Sequence, residues 1–523
     1  MNTNIVKKIV FRTIHIGLFK FIYKILYSLY IYIFKKITKK LLDVKSIYLK
    51  WGLGSKEFIP GLSDLDMIVV INKKSVTKDF FQMKRYINFY FILKKILPFM
   101  GYILLLSEKE INSWLTWGDI RACELPFVYT PIYGKKMPIG RYKYIPNKFK
   151  IDCISQSYFN NYARLLQLYI KNEFNASDKI MMRNILKFFS DTLKFCHYAT
   201  EEKFIYYESR KVFLDSFRST DELLDFLIGE AIQAYNSKFS FNNHEFVPDA
   251  LACLLVYIDK VCKLHCANLR SEGIPYNDIE VKKIYIDSKY ISKELNLFLS
   301  GLRNLVNNIP LKLSNYINRI FYSSSYLYII IKDNIDIKEI RTFLEDFKNL
   351  FYNYSQYNNR LAVAVMTESI YSCIRHSLPF SMRYFSIRYH RKKEEELYGD
   401  FEKEGLSYWI KPILIEHVYY MRIALTQNNG LLADEHLPSF CFDLLPRLLL
   451  AMGKDCIPNT PEGTEAEFRK HYPLLYEQIE NLKPISLSSE RKKDKGLHLK
   501  YYLLADRMLD ELVSITEEKY GCG

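Results

Sequence analysis

The chain has 523 residues, of which 49% are apolar and 25% charged, and a formal net charge of +16. That length is more than one hydrophobic core supports and predicts several domains, while the apolar content excludes a largely disordered chain. Ten cysteines occur without a single Cys-x-x-Cys pair, a usage that speaks against a disulfide framework and for reduced thiols in a cytoplasmic protein.

The positive charge is concentrated at the start. Residues 1–50 hold eleven Lys or Arg against one acid, Asp43, so an anionic partner suits this segment. Residues 1–43 read as a basic amphipathic helix. Lys20 and Lys24 interrupt its apolar run, and the longest uncharged piece, Ile25 to Phe34, is about half the length that spans a bilayer. Three readings stand: a helix packed on the sheet that follows, a helix lying on the inner face of an anionic membrane, peripheral to it, through residues 1–40, or a helix in contact with nucleic acid.

Next comes WGLGSKEFIPGLSDLDMIVVI at 51–71. VKSIYLKWGL before it and DLDMIVVI within it have the β-branched, apolar character of strands, with Gly54, Pro60 and Gly61 marking a turn-rich connection. Strand alternation would put Asp64 and Asp66 on one face, where two like charges repel unless a cation lies between them. The Gly54-Ser55 turn offers unblocked backbone N–H groups and a hydroxyl to phosphates. Phosphates beside a carboxylate pair call for Mg²⁺.

Gly54, Ser55, Ser63, Asp64 and Asp66, at this spacing and before an apolar strand, resemble the signature of the nucleotidyltransferases of the DNA polymerase β superfamily over residues 52–71. The resemblance implies an α/β (α+β) nucleotidyltransferase-like domain that transfers a nucleoside monophosphate from a nucleoside triphosphate, ATP included, to an acceptor and releases pyrophosphate. It implies that Asp64 and Asp66 hold two Mg²⁺ ions, with Gly54, Ser55 and Ser63 on the nucleotide side. The family adds a third carboxylate on a later strand. Here the strand GYILLLSEKE carries no acid in its body, leaving Glu108 at its end and Glu124 in RACELPFVYTPIYGK as catalytic candidates.

A helix is expected from Val76 to about Leu97, and helical periodicity dominates beyond residue 140, as for a lobe that closes over the nucleotide. The order strand, helix, strand, Leu-Pro-Phe, Tyr-Gly recurs after residue 316. The first pass ends in Leu125-Pro126-Phe127 and Tyr133-Gly134, the second in Leu378-Pro379-Phe380 and Tyr398-Gly399. In place of Gly-Ser and Asp-x-Asp the second pass reads YSSSYLYIII. The chain is therefore expected to hold a tandem of two such halves, the second degenerate, or else two α/β segments alike only in order. The expected segments are 1–43, the nucleotidyltransferase domain 44–140, helices 141–315, the degenerate domain 316–400 and helices 401–523.

Other features read as structural. Cys262, His265 and Cys266 fall on one helical face without a fourth ligand, in a segment with the composition of a core helix. Thr464 and Glu467 form a capping-box pattern that predicts a helix start. The acceptor is a small molecule, a glycan precursor or a protein; nucleic acid is not favoured, since no duplex-binding module is recognisable. The competing reading is a catalytically silent scaffold that binds a nucleotide or a partner. The sequence leaves the oligomeric state open.

Overall fold

In the computed structural model the described residues are 13, 16–50, 64–137, 150–271, 309–374, 387–396, 441–450, 461–487 and 496–520, apart from short gaps inside these ranges. The fold is mixed α/β, mostly helical, with two small mixed sheets. Two compact units form: residues 1–142 join 403–523 in the first, and residues 143–402 make the second.

The first unit begins with α1 (Gly17–Leu41). Its buried residues Tyr27, Tyr30, Phe34 and Thr38 recur every three or four positions, the spacing of one helical stripe. They meet α2 (Val76–Ile96): Phe34 and Tyr86 stand edge to face with centroids 6.3 Å apart, and the Thr38 and Tyr86 hydroxyls are 3.1 Å apart. Strands β1 (Val44–Lys50), β2 (Leu65–Ile71), β3 (Met100–Ser107) and β4 (Tyr129–Tyr133) form a sheet in the order β3-β2-β1-β4. β1 is antiparallel to β2 and β4, and α2 is the crossover that makes β2 and β3 parallel. β2 and β3 are almost wholly buried, which their continuous Ile, Leu and Val content anticipates.

Two helices, α3 (Glu108–Trp117) and α4 (Ile120–Val128), bridge β3 and β4. Gly134 ends β4 at φ +82°, where a Cβ would lie 2.3 Å from the Ser46 hydroxyl, so only glycine fits.

The remaining described helices of this unit are α13 (Pro461–His471), α14 (Pro473–Leu487) and α15 (Leu497–Tyr520). α15 packs on α2 and α3, with the Tyr502 and Phe80 rings 5.0 Å apart. Lys73 bridges the buried Asp506 at 2.9 Å and the exposed Asp510 at 3.0 Å. Burial alone would lower the Lys73 pKa, but the two carboxylates outweigh it and raise it. The capping-box expectation at Thr464 is corrected: α13 starts three residues earlier at Pro461, whose fixed φ suits a first helical turn, and Glu467 instead pairs with His471 at 3.0 Å.

The second unit opens with a π-helical turn, Gln156–Tyr162, leading into α5 (Ala163–Ile170). α6 (Lys179–Thr200), α7 (Arg210–Ser216), α8 (Glu222–Asn236), α9 (Phe246–Ser271) and the single turn α10 (Leu311–Ser314) follow. Its sheet has the order β7-β6-β5-β8-β9, made from β5 (Ile317–Ser323), β6 (Tyr326–Ile331), β7 (Ala362–Thr367), β8 (Ile387–His390) and β9 (Lys393–Glu396). α11 (Ile337–Ser355) crosses from β6 to the parallel β7, and α12 (Glu368–Ile374) follows at once. β7 is an edge strand, and its Val363 and Val365 carbonyls accept from Gln167 Nε2 and the Tyr158 hydroxyl, which closes an edge otherwise open to pairing.

The two sheets agree in detail. Each first strand is antiparallel to the second and carries an irregularity at its second residue, between Val44 and Ser46 and between Ile317 and Arg319. Each hairpin is closed by one backbone bond of 2.9 Å, Asn72 N–H to Asp43 and Lys332 N–H to Tyr316. At the end of each third strand a hydroxyl accepts a helix N–H, Ser107 from Glu110 at 3.3 Å and Thr367 from Ile370 at 3.2 Å. Both sheets are backed by a long helix on the crossover helix and its short successor: α15 on α2 and α3, α9 on α11 and α12.

The helices of the expected 141–315 segment belong to the unit of the second sheet, and those of 401–523 to the unit of the first. The first Leu-Pro-Phe, with Pro126, lies inside α4. Leu378-Pro379-Phe380 and Tyr398-Gly399 lie outside the described residues.

Candidate functional site

The antiparallel pairing of β1 with β2 decides where the signature lies. Lys50 ends β1 and Leu65 starts β2, so residues 51–64 connect these two inner strands at one end, and Asp64 and Asp66 sit at that edge, the rim that the strand ends form. Gly54, Ser55 and Ser63 lie outside the described residues.

Asp64 is exposed, one residue before β2, and Asp66 is half-buried between the fully buried Leu65 and Met67. The β2–β3 register slips between Leu65 and Met67, where Gly101 and Tyr102 of β3 together stand opposite Asp66, so the extra residue lies on β3. Asp66 has a structural part at this bulge, because its Oδ1 accepts the Tyr102 N–H at 3.0 Å, a donor that the slipped ladder would otherwise strand. Its Oδ2 lies 3.5 Å from Lys50 Nζ.

This geometry requires glycine opposite. A Cβ on Gly101 would lie 2.1 Å from Asp66 Oδ1 and 2.9 Å from the Leu65 carbonyl carbon. The Gly101 carbonyl in turn accepts from the Tyr90 hydroxyl and, at 3.0 Å, from Lys94 Nζ, both on α2. Burial raises the Tyr90 phenol above its usual range, and the charges of Asp66 and Asp64 add to the effect. The hydroxyl therefore stays a donor at neutral pH, and both aspartates lie within electrostatic reach of it.

The two third-acid candidates separate. β2 and β3 run parallel, so Glu108, just past the end of β3, is about 20 Å from the Asp66 edge at roughly 3.3 Å per residue. Its carboxylate instead pairs with Lys45, and the structure does not bring it to the pair. Glu124 lies on α4, which runs into Tyr129, the β4 residue paired with Lys50. It thus approaches the same edge as Asp66. Among the described residues no group of three His, Cys, Asp or Glu side chains is disposed to hold a metal ion.

The carboxylate donors at this site are the exposed Asp64 and the outer oxygen of Asp66, of the type that Mg²⁺ takes together with water and phosphate oxygens. A second ion needs a further acid, and among the described residues none joins Asp64 and Asp66 in a metal-holding group. Lys50, Tyr90, Lys94 and Gly101 do not stand out in the sequence. A glycine opening an apolar strand is the available signal, since it marks a close backbone approach.

The chain matches no protein-family model, no curated protein and no solved structure.

The Cys262 and His265 pair falls inside α9, both side chains buried. Neither His265 ring nitrogen has a hydrogen-bond partner among the described residues. Burial, and then the charge of Lys150, push its pKa down to about 4, as for a neutral core histidine.

Proposed function

We propose that the chain is a Mg²⁺-dependent nucleotidyltransferase that moves a nucleoside monophosphate from a nucleoside triphosphate to an acceptor. One observation carries this reading: the β1–β2 pairing puts both ends of the Gly-Ser segment at the sheet edge that bears Asp64 and Asp66. Asp64 and Asp66 would hold Mg²⁺, which would offset triphosphate charge during in-line transfer. Lys50, one third exposed beside Asp66, would receive phosphate oxygens, and the backbone of Gly54 and Ser55 would offer N–H donors to them. Lys94 and Tyr90 anchor the Gly101 carbonyl and hold the strand edge under Asp66.

The nucleotidyltransferase-like fold with a degenerate second half belongs to the same proposal. The common strand order, the irregularity at the second residue of β1 and of β5, and the matching hydroxyl caps after β3 and β7 support descent of both sheets from one unit. A second reading, a silent nucleotide-binding scaffold, draws support from the Asp66 contacts to Tyr102 and Lys50, which occupy the carboxylate without any metal.

The test is nucleoside triphosphate binding with Mg²⁺, by calorimetry, together with pyrophosphate release in the presence of cell extract as acceptor source. Wild type should bind and turn over, and Asp66→Asn should do neither. Binding without pyrophosphate would favour the scaffold. No binding at millimolar triphosphate would refute both readings.

A further inference from the structure

The face of α1 opposite its buried stripe is apolar and uncovered. Leu18 is 65% exposed, Phe21 60%, Ile25 49% and Leu29 52%, with Ile22, Leu26, Tyr32 and Ile33 beside them. On the helix these positions cluster around one direction, and Tyr27, Tyr30 and Phe34 point the other way into the first unit. A continuous apolar helical face left in water marks an interaction surface. Lys36, Lys39 and Lys40, all exposed, continue the stripe along its own side of the helix, whereas the exposed Lys20 and Lys24 fall, at helical spacing, on the side of Tyr27 and Phe34. Lys36 Nζ stands 4.7 Å above the Tyr32 ring, an arrangement that keeps its charge at the rim of the apolar stripe. From Gly17 to Leu41 there is no acidic residue.

We infer that this face of α1 seats the protein on an anionic lipid bilayer, with the helix lying in the headgroup plane. The sign of the charge selects the occupant. A second copy docking through the same face would bring lysines against lysines with no carboxylate to pair them, which disfavours association. An anionic bilayer takes both components, the apolar stripe entering the acyl boundary and the lysines meeting phosphates. The helix is long and apolar enough to cross a membrane by length and composition, yet its other face is fixed to the unit through Phe34, Tyr86 and the Thr38–Tyr86 hydroxyl contact. Spanning would strip those contacts and bury Lys20 and Lys24 in hydrocarbon. Lying flat requires neither.

The experiment is co-sedimentation of the full chain with vesicles of phosphatidylcholine alone and of phosphatidylcholine mixed with phosphatidylglycerol, across a salt series. The expected result is binding to the mixed vesicles that weakens with salt and is largely absent with phosphatidylcholine alone. The triple substitution Phe21→Ser, Ile25→Ser, Leu29→Ser should lower partitioning by roughly a hundredfold or more, with circular dichroism and thermal unfolding unchanged because none of the three is packed. Lys36→Glu with Lys40→Glu should lower it independently. Equal binding by the triple variant, or no binding by wild type, overturns the inference. So does a wild-type oligomer that the triple substitution converts to monomer, which would assign the face to a second copy.

Discussion

Placed side by side, the two sheets share a frame and differ at one edge. Counting from Ile71 and Ile331, the last residues of the second strands, Asp66 corresponds to Tyr326 and Asp64 to Ser324; Lys50, counted along the first strand, corresponds to Ser323. The first hairpin connects its strands through residues 51–64, whereas only Ser324 and Ser325 separate Ser323 from Tyr326. In the first sheet the β2–β3 register slips at Asp66; in the second β6 and β7 pair without a break. The frame therefore stands without carboxylates, a slip between its second and third strands or a long hairpin, and the presence of all three together at one edge is what separates a scaffold from a candidate site.

The sharpest way to break this contrast is to remove charge from the first edge while preserving shape. Asp66→Asn keeps an oxygen for the Tyr102 N–H, so it should leave thermal stability near wild type and lower pyrophosphate release about a thousandfold or more. Tyr326→Phe, at the equivalent place, should leave release unchanged. A large loss from Tyr326→Phe, or none from Asp66→Asn, would erase the distinction between the sheets.

Stability gives the next test. Lys73→Met takes the ammonium away from the buried Asp506 carboxylate, at a cost of about 3 kcal/mol, and faster amide exchange in α15 should report it. If the α15 amides exchange as in wild type, the Lys73 bridge does not fasten that helix.

In the second unit the comparable effect depends on pH. His265 titrates at about 4 when folded and near 6.5 in an unfolded chain. The unfolded chain thus takes up the proton first as pH falls. Stability is complete above pH 6.5 and is lost between 6.5 and 4, about 3 kcal/mol in all. Urea denaturation of wild type should show this decline, and His265→Met should flatten it; equal slopes in both would deny the histidine a part.

The smallest effect sharpens the assignment of acids. Glu124→Gln should lower turnover by about tenfold or more, while Glu108→Gln, at the far end of the strands, should stay within about twofold of wild type. The reverse order would move the site to the other edge.

The strands and crossover helices are legible in the sequence because Val, Ile and Leu runs and 3.6-residue periods are local properties. Val76–Ile96 and Val44–Lys50 fall where those patterns put them. The bulge opposite Asp66 is not legible, because it depends on the approach of Gly101 from a strand some 35 residues away. Glu108 and Glu124 are equivalent in sequence and are separated only by strand direction. Composition leaves α1 packed, membrane-facing or in contact with nucleic acid; its buried stripe supports packing on the unit and its bare stripe leaves a face for a membrane.

The exchange of long helices has a consequence for synthesis. The sheet that bears Asp64 and Asp66 is complete early in the chain, but α15, which backs its crossover helix, belongs to 403–523, with all of 143–402 translated in between. A nascent chain emerges at about 5–20 residues per second, so the first sheet waits tens of seconds with its α2 surface uncovered, while α9, made ahead of β5, is ready when the second sheet arrives. The unit that bears the candidate site is thus finished after the second unit, and a ribosome that stalls after residue 402 leaves a complete second unit and an unfinished first one.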